Sequence, residues 1–444
     1  MARLFGTDGV RGVANVQLTP QLAFKLGRAG ARVLSGEDVK NPVFVIGKDT
    51  RLSGDMLEDA LSAGIMSAGG SVIKAGVVPT PAIAYLVGEY GADAGAVISA
   101  SHNPFEYNGI KFFNGKGFKL SDELEDKIEA LLEEDFTGEM IGKVIGNVKD
   151  PKELYINHLL ESIDIRLDGM KIVLDCANGA SFETAPAVYR ALGADIKVIA
   201  NEPDGVNINN GCGSTHPENL CQAVIDEGAD LGLAYDGDAD RLIAVDEMGR
   251  VTDGDKVICI CAKMLKEKGM LTGGLVTGTV MSNLGFHKYL ESLGCKTKAT
   301  AVGDRYVLES MLETGGKIGG EQSGHIIFLD YGTTGDGTLA SLQLIKAMDL
   351  AGKKLSELAD EIVLYPQVLE NAKVKNENKN KYKEDEEVVK AIKDVESAMA
   401  GEGRVLIRPS GTEPLVRVML EGNDIDQITG YAKRLAKLLE EKFA

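Results

Sequence analysis

The sequence has 444 residues and a net charge of −19, and 44% of its residues are hydrophobic. A chain this acidic is a poor partner for nucleic acid or an anionic membrane, and its composition excludes global disorder. At about 150 residues per domain the length corresponds to roughly three domains, and no apolar run reaches the ~20 residues that a membrane-spanning helix needs.

Short β-rich runs alternate with amphipathic stretches along most of the chain, which predicts α/β layers with a largely parallel or mixed sheet. The predicted strands span residues 43–46, 95–99, 171–175, 196–200 and 275–279. The predicted helices span residues 19–33, 55–68, 121–132, 217–227, 255–268 and 338–347.

One pattern recurs three times: a helical stretch ends in glycine, a short apolar strand follows, and a polar loop comes next. The copies open at Gly91, Gly228 and Gly315, and each reaches its loop ten residues later. Loops at the carboxyl ends of strands are where open α/β sheets bind ligands, so the repeat predicts three related domains with one functional loop each. The loop positions are Ser101, Asp238 and His325.

The amino-acid composition changes after Leu364. Residues 371–393 are rich in Lys, Glu and Asn, which predicts a solvated loop leading into a helix. A strand at 404–407, a turn, a strand at 415–420 and a helix at 426–442 predict a smaller α+β unit. Four domains therefore fit better than three, at residues 1–152, 153–253, 254–367 and 368–444.

Six scattered cysteines without a CxxC pair argue against a disulfide scaffold or a structural zinc site. The first residues show no signal-peptide core. Together these features predict a protein of the reducing cytoplasm.

Three carboxylates at alternate positions, Asp236, Asp238 and Asp240, can turn toward one hard cation such as Mg²⁺ or Ca²⁺. The spacing mimics an EF-hand, but Arg241 stands where that loop needs glycine, and the flanks at 231–235 and 242–246 predict strands instead of helices. The loop predicts a Mg²⁺ site with an incomplete shell that a phosphate can finish.

Ser101 lies at a predicted strand end, between Ala100 and His102. A serine needs a base, a metal or a charged neighbour to act as a nucleophile. Taken alone, a capping or turn serine is the simpler interpretation. Its alignment with the metal loop in the repeat favours a functional role.

Two further loops suit a phosphosugar. Glu321, Ser323 and His325 are spaced by two along a predicted extended loop, so they would point the same way and bond sugar hydroxyls, although a polar turn is the alternative. The segment 408–414 combines a planar arginine fork with Ser, Gly and Thr donors, which favours a phosphate cradle over a plain hairpin turn. Cations beside glycines, Arg11 and Lys111, complete the set of candidates.

In chain order, these features resemble the α-D-phosphohexomutase superfamily and, within it, the bacterial phosphoglucosamine mutases. Gln322 after Glu321 is similar to the glucosamine branch, whereas Ala239 stands where many relatives have glycine. The motifs that carry the resemblance are residues 5–12, 101–104, 236–241, 320–325 and 408–414.

The resemblance implies three related mixed α/β domains and a smaller C-terminal α+β domain, with the active site in a central cleft. It implies interconversion of glucosamine 6-phosphate and glucosamine 1-phosphate, through a phosphoserine and a bisphosphorylated sugar, on the route to UDP-N-acetylglucosamine and the cell wall. The implied cofactors are Mg²⁺ and, as activator, glucosamine 1,6-bisphosphate or another hexose bisphosphate.

The residues implied by the resemblance form three groups. The metal ligands are Asp236, Asp238, Asp240 and the phosphorylated Ser101. The catalytic candidates are Ser101, Lys111, Arg11, His102, Arg241 and His325, with Lys111 and His325 as the proton movers. The substrate-binding candidates are Glu321, Ser323, Arg408, Ser410, Gly411, Thr412 and Arg417.

Three alternatives stay open at this point. A phosphatase can use the same serine and metal but has little use for a second phosphate cradle. A non-catalytic phosphosugar-binding protein does not need the reactive serine. A sister mutase acting on glucose or mannose phosphates is the nearest rival. The expected partner is a phosphorylated amino sugar, with no nucleic acid and no membrane; the oligomeric state is open, with a homodimer as the candidate.

Overall fold

The computed structural model describes residues 3–6, 8–35, 41–134, 140–410 and 413–444, and the strands in these ranges form four sheets. Residues 3–134 contain β1 (Val10–Val13), α1 (Pro20–Leu34), β2 (Val43–Lys48), α2 (Gly54–Ser67), β3 (Ser71–Val77), α3 (Thr80–Glu89), β4 (Ala94–Ile98), β5 (Tyr107–Asn114) and α4 (Asp122–Ala130). Residues 140–252 contain α5 (Pro151–Glu161), β6 (Lys171–Asp175), α6 (Thr184–Leu192), β7 (Asp195–Ile199), α7 (Glu218–Glu227), β8 (Leu231–Tyr235), β9 (Leu242–Asp246) and β10 (Val251–Thr252).

The second half of the chain continues the alternation and then changes to a strand-rich unit. Residues 253–361 contain α8 (Gly254–Glu267), β11 (Leu275–Thr279), α9 (Leu284–Ser292), β12 (Lys296–Thr300), α10 (Asp304–Thr314), β13 (Ile318–Gly320), β14 (Ile326–Phe328), α11 (Gly337–Ala351) and α12 (Leu355–Asp360). Residues 362–444 contain β15 (Gln367–Lys373), α13 (Glu386–Ala398), β16 (Gly403–Pro409), β17 (Leu415–Gly422) and α14 (Ile425–Phe443).

The first three sheets repeat one strand order. The order β5-β4-β2-β3 of the first sheet matches β9-β8-β6-β7 of the second and β14-β13-β11-β12 of the third. In each, three neighbouring strands run parallel and a hairpin adds the last one antiparallel. β1 and β10 extend the first two sheets. The predicted α/β class and the three related domains are confirmed.

The glycines that open the repeat have a shared conformational reason. Gly91, Gly228 and Gly315 have φ of 59°, 56° and 70°, the left-handed region in which a helix ends at little steric cost to glycine. Each reverses the chain out of a helix and into a buried strand. The strand then delivers its loop to the same edge of its sheet.

The chain divides into two compact units. The first comprises residues 1–279 and 296–361, and the second comprises residues 280–295 and 362–444. The segment with α9 therefore packs with the C-terminal unit, where Leu284 N donates to Glu421 Oε2 at 2.9 Å and Asn283 Nδ2 donates to Tyr365 O at 2.9 Å. The four domain ranges predicted from the sequence stay a prediction.

The C-terminal unit has a three-stranded antiparallel sheet in the order β15-β17-β16, with α13 and α14 in one hydrophobic core with it. The solvated loop predicted from residue 371 is wrong in part, because β15 spans Gln367–Lys373 and both Lys379 and Tyr382 are buried. Gln367, Asn371 and Lys373 are exposed on this edge strand, while Ala372 is buried. No helix in the described part of the chain is long and apolar enough to cross a membrane.

Candidate active site

Ser101 lies on the turn that leaves β4 and is 1% exposed. Its φ of 52° places it in the left-handed region, which few residues other than glycine adopt. The hydroxyl donates to Asp236 Oδ2 at 2.6 Å and lies 3.3 Å from Nδ1 of His102. The turn thus aims the Ser101 hydroxyl at the carboxylate loop, although the two loops lie more than a hundred residues apart in sequence.

The three carboxylates follow β8 in the hairpin with β9, and each offers one oxygen within 4.8 Å of the others. All are buried, and Ala239 between them has a φ of 56° that keeps the turn tight. Burial raises the pKa of Asp236 and Asp240, and the neighbouring carboxylates raise both further. Oδ1 of Asp238 and Oδ1 of Asp240 are buried without a hydrogen-bond partner. An oxygen-only cluster with unpartnered oxygens fits Mg²⁺.

Lys111 on β5 counters this charge from the first domain. Its Nζ lies 2.9 Å from Asp238 Oδ2, 3.0 Å from Asp8 Oδ2 and 3.8 Å from Asp240 Oδ2. Burial alone would lower the pKa of Lys111, but Asp238 and Asp8 outweigh it and raise that pKa, so the ammonium form persists. Arg11 pairs with the same Asp8. Lys111 therefore lies at the cluster, and Arg11 is linked to Lys111 through Asp8.

Arg241 and His102 flank the serine and the carboxylates. Arg241 Nε lies 4.0 Å from Asp236 Oδ2 and 3.9 Å from Asp240 Oδ1, and it is buried without a hydrogen bond. Burial, followed by the charges of Arg241 and Arg11, lowers the pKa of His102 to about 4. The neutral form of His102 is consequently favoured at pH 7.

His325 lies at the end of the third loop, immediately before β14, and is 3% exposed. Its Nε2 lies 3.1 Å from Asp304 Oδ2 and 3.8 Å from Asp240 Oδ2, and its backbone bridges to Arg241. Burial lowers the pKa of His325, but Asp304 outweighs it and the net shift is upward. A Cβ on Gly335 would meet the imidazole at 2.5 Å, so a glycine there leaves room for the ring.

The predicted extended sugar loop is wrong in its geometry. Residues 321–325 form a tight hairpin turn between β13 and β14, in which Glu321 N donates to His325 O at 2.9 Å. The spacing of two therefore does not align the side chains: Ser323 is exposed while His325 is buried. Glu321 Oε1 accepts from Gly303 N at 3.0 Å, and Gln322 Nε2 donates to Asp253 Oδ2 at 3.2 Å.

Several polar and charged residues of the site are not identified by the sequence patterns. Lys119 Nζ lies 2.9 Å from Asp8 Oδ1 and 2.5 Å from Asp304 Oδ2. It therefore links Asp8 to Asp304, the carboxylate that contacts His325. Thr80 at the start of α3 donates to Asp238 Oδ2 at 2.7 Å. Asp8 lies inside the motif at residues 5–12, but Lys119, Asp304 and Thr80 have no local pattern that marks them. Only their distances in the folded chain reveal them.

The C-terminal unit brings Arg408 and Arg417 together as directly opposed residues of β16 and β17. Burial, followed by the charge of Arg417, lowers the pKa of Arg408. Ser410 is buried, and its Oγ accepts from Glu413 N at 3.2 Å. Two opposed cations destabilise a sheet unless an anion joins them. The predicted cradle residues Gly411 and Thr412, and Thr7 of the N-terminal motif, lie outside the described residues.

Comparison with known proteins places this geometry in a family. Four family models of phosphoglucomutase/phosphomannomutase match the chain. They are α/β/α domain I at residues 2–138, α/β/α domain II at 153–249, α/β/α domain III at 253–365 and the C-terminal domain at 369–438.

A phosphoglucosamine mutase of Thermoanaerobacter sp. is 59% identical over 446 residues, which cover 100% of both chains. A phosphoglucomutase/phosphomannomutase family protein from Burkholderia thailandensis has the same fold, with a TM-score of 0.83 at 24% identity over 100% of this chain and 98% of that one. The N-acetylphosphoglucosamine mutase of Aspergillus fumigatus, solved with GlcNAc-6P and magnesium, has a TM-score of 0.68 at 16% identity over 99% and 96%. The chain therefore belongs to the phosphoglucomutase/phosphomannomutase family and, within it, to the phosphoglucosamine mutases, which are isomerases acting on phosphosugars.

Proposed function

We propose that this chain interconverts glucosamine 6-phosphate and glucosamine 1-phosphate through a phosphoserine at Ser101 and a bisphosphorylated sugar, for the synthesis of UDP-N-acetylglucosamine. The observation that carries the proposal is the 2.6 Å hydrogen bond from Ser101 Oγ to Asp236, inside a cluster of three buried carboxylates. Phosphoryl transfer depends mainly on positioning and on charge neutralisation. The cluster, with cations on its other side, supplies both.

The carboxylates support Mg²⁺ as the cofactor, with Asp236, Asp238, Asp240 and the Ser101 phosphate as ligands. When bound, Mg²⁺ would polarise the phosphoryl oxygens and offset their negative charge. A hexose bisphosphate, such as glucosamine 1,6-bisphosphate, would phosphorylate Ser101 and activate the enzyme. Arg11 and Arg241 are suited to the charge of the transferring group, because Arg241 lies beside the cluster and Arg11 pairs with Asp8, a neighbour of Lys111.

The reaction requires two balanced transfers. In the first, a sugar hydroxyl oxygen attacks the phosphorus on Ser101, the bond from phosphorus to Ser101 Oγ breaks, and the sugar becomes a bisphosphate. A proton-accepting side chain takes the proton of the sugar hydroxyl, and a proton-donating side chain gives one to the departing Ser101 Oγ. In the second, Ser101 Oγ attacks the phosphate at the other end of the sugar and loses its proton to the departing sugar oxygen. Lys111 and His325 are the candidate proton movers. Their charged forms are favoured, so each can donate a proton to a departing oxygen and, once neutral, accept a proton from an attacking hydroxyl.

The phosphate that does not react needs a separate binding site. Arg408, Arg417 and Ser410 support such a role in the C-terminal unit, with Gly411 and Thr412 as the remaining candidates. Among the residues that the structure describes, no carboxylate lies within ion-pair distance of Arg408. Arg417 has a glutamate oxygen at 3.5 Å. An unpaired, half-buried arginine beside a second one is chemically suited to phosphate.

Selectivity for the amino sugar is assigned to the turn after β13. Glu321 and Ser323 are the candidates for contact with the sugar, and Gln322 for the distinction between glucosamine and glucose. A carboxylate in this turn tolerates a substrate ammonium better than a cation would. The cytoplasmic location and the homodimer expected from the sequence stay predictions.

The test is Ser101→Ala in the full chain. Intact-mass analysis should show a partly phosphorylated wild-type protein whose modified peptide contains Ser101, and a variant that carries no phosphate there. Turnover of glucosamine 6-phosphate, with catalytic hexose bisphosphate, should fall by several orders of magnitude, while Ser292→Ala at an exposed helix end keeps wild-type activity. Full mutase activity in Ser101→Ala would refute the proposal. Faster turnover of glucose or mannose phosphates by the wild type would favour the sister mutase.

A further inference from the structure

Arg51 is a fully buried arginine outside the motifs that define the active site. It follows β2, and both its side chain and that of Asp49 are 0% exposed. Arg51 Nε donates to Asp49 Oδ2 at 2.9 Å. The remaining guanidinium nitrogens point away from that carboxylate and toward the loop that carries Ser101.

These nitrogens bind a row of main-chain carbonyls. Arg51 Nη2 donates to Ser101 O and Asn103 O, each at 2.8 Å. Nη1 donates to Tyr107 O at 3.1 Å and to Pro104 O. One guanidinium thus fastens the whole turn between β4 and β5, from the serine itself to the first residue of the returning strand.

A second donor reaches the same carbonyls from the second domain. Asn209 Nδ2 donates to Ser101 O at 2.9 Å and to Asn103 O at 3.1 Å. Asn209 is 7% exposed, and its φ of 58° is left-handed. The Ser101 carbonyl is therefore held by one residue from each of the two domains whose loops meet at the carboxylate cluster.

Hydrogen bonds from two donors stabilise the backbone conformation of Ser101. Ser101 has a left-handed backbone, and a non-glycine residue keeps such a conformation only when its surroundings fix it. The carbonyls that converge here would repel one another if their donors were removed. We propose that Arg51 and Asn209 are positioning residues for phosphoryl transfer, which hold the Ser101 oxygen in line with the carboxylate cluster in both its free and phosphorylated forms.

This inference rests on the proposed role of Ser101. Of the two long cationic side chains, arginine alone can make all of these hydrogen bonds at once. The guanidinium is planar and donates five hydrogen bonds in a fixed arrangement, whereas the lysine ammonium is a compact charge with three donors. Arg51→Lys keeps the charge beside Asp49 but cannot span four carbonyls. A displacement of about 1 Å at a reacting atom can cost about 100-fold in rate.

The experiment compares Arg51→Lys, Asn209→Gly and the control Arg250→Lys, whose partly exposed guanidinium pairs with Asp246. Each full-length protein is assayed for kcat and KM with glucosamine 6-phosphate, for thermal unfolding, and by intact mass for phosphate on Ser101. We expect kcat to fall about 100-fold in Arg51→Lys and about tenfold in Asn209→Gly, with KM within twofold of the wild type. Arg250→Lys should match the wild type.

Two results would overturn the proposal. One is a wild-type kcat in folded Arg51→Lys or folded Asn209→Gly. The other is a loss of kcat that disappears when activity is divided by the folded fraction, which would indicate a purely structural role. If Arg51→Lys does not fold, Asn209→Gly decides, because glycine accepts the left-handed backbone and removes both side-chain hydrogen bonds to the Ser101 turn. An active Ser101→Ala would instead refute the proposed function itself.

Discussion

Replacing Asp236 by Asn should stabilise the metal-free protein and at the same time disable it. Asp236 shares its site with Asp238 and Asp240, and the ligand oxygens lie within 4.8 Å of one another. Without a cation, these carboxylates repel each other in a buried environment. The amide has almost the same shape, can still accept the Ser101 hydrogen bond, and removes one of the three charges.

The size of the effect follows from the distances. At an effective dielectric constant of about 20, each carboxylate pair at 4.8 Å repels by roughly 3.5 kcal/mol. The attraction of Asp236 to Arg241 at 4.0 Å offsets roughly 4 kcal/mol of the two repulsions. The net gain from the substitution at these distances is therefore about 3 kcal/mol, reached when Asp236 is fully ionised.

The gain should grow with pH. Burial and the neighbouring carboxylates raise the folded-state pKa of Asp236 above its unfolded value, so the folded protein binds this proton more tightly. The stability due to that proton is present at low pH and is lost as the pH rises through the raised pKa. Asn cannot titrate, so the stability difference between variant and wild type should be near zero at low pH and largest at high pH.

The assay is thermal and urea unfolding in a chelator from pH 5 to pH 8, with Asp226→Asn on the exposed face of α7 as the matched control. Added Mg²⁺ should stabilise the wild type and much less the Asp236→Asn variant, whose activity should be lower by orders of magnitude. A variant that is no more stable than the wild type at pH 8, or a gap that does not widen with pH, would refute the electrostatic reasoning. A chelated wild type that keeps full activity would refute the metal site.

Three further predictions concern other parts of the site. Lys111→Met should lower kcat by about 10²–10⁴-fold, and it should destabilise the protein by about 3–5 kcal/mol because the buried Asp238 loses its ion pair, whereas Asp8 keeps Arg11 and Lys119. A kinetic and unfolding comparison with wild type tests both effects. Arg408→Ala should raise KM about 10–100-fold for both hexose monophosphates and release more bisphosphate into solution, as measured by chromatography; normal KM and no extra bisphosphate would remove the cradle assignment. Gln322→Met should change the kcat/KM ratio between glucosamine and glucose phosphates about tenfold, and an unchanged ratio would exclude Gln322 from selectivity.

Local sequence patterns were sufficient for much of the architecture. The strand at 171–175 and the strands beside the carboxylate loop agree with the structure, because short apolar runs between turn residues leave few alternatives. The three glycines at the helix ends marked the repeat, because left-handed helix termini favour that residue. The polar strand β15 was missed, because an edge strand needs few apolar positions.

Some residues of the candidate site could likewise be identified from local sequence, and others only from the fold. Ser101 and the three aspartates could be identified because each group sits within one loop of a few residues, at a strand end. The partners that decide their chemistry lie far away in sequence: Lys119 and Asp304 beside His325, and Thr80 beside Asp238. No periodicity links such positions, since they meet only when separate sheets pack against one another.

The protonation states of the site's histidines are determined by the tertiary structure. From the sequence His102 and His325 are both catalytic candidates, and only His325 of the two is expected to move a proton. In the structure, burial among arginines keeps His102 neutral while Asp304 favours the charged form of His325. The turn at 321–325 likewise overrides the spacing of its residues, because a hairpin reverses the chain where an extended strand would alternate. The sequence alone determined which residue types the chemistry has available; burial, charge and packing decided which of them meet and in what state, because those quantities depend on neighbours that the linear order does not specify.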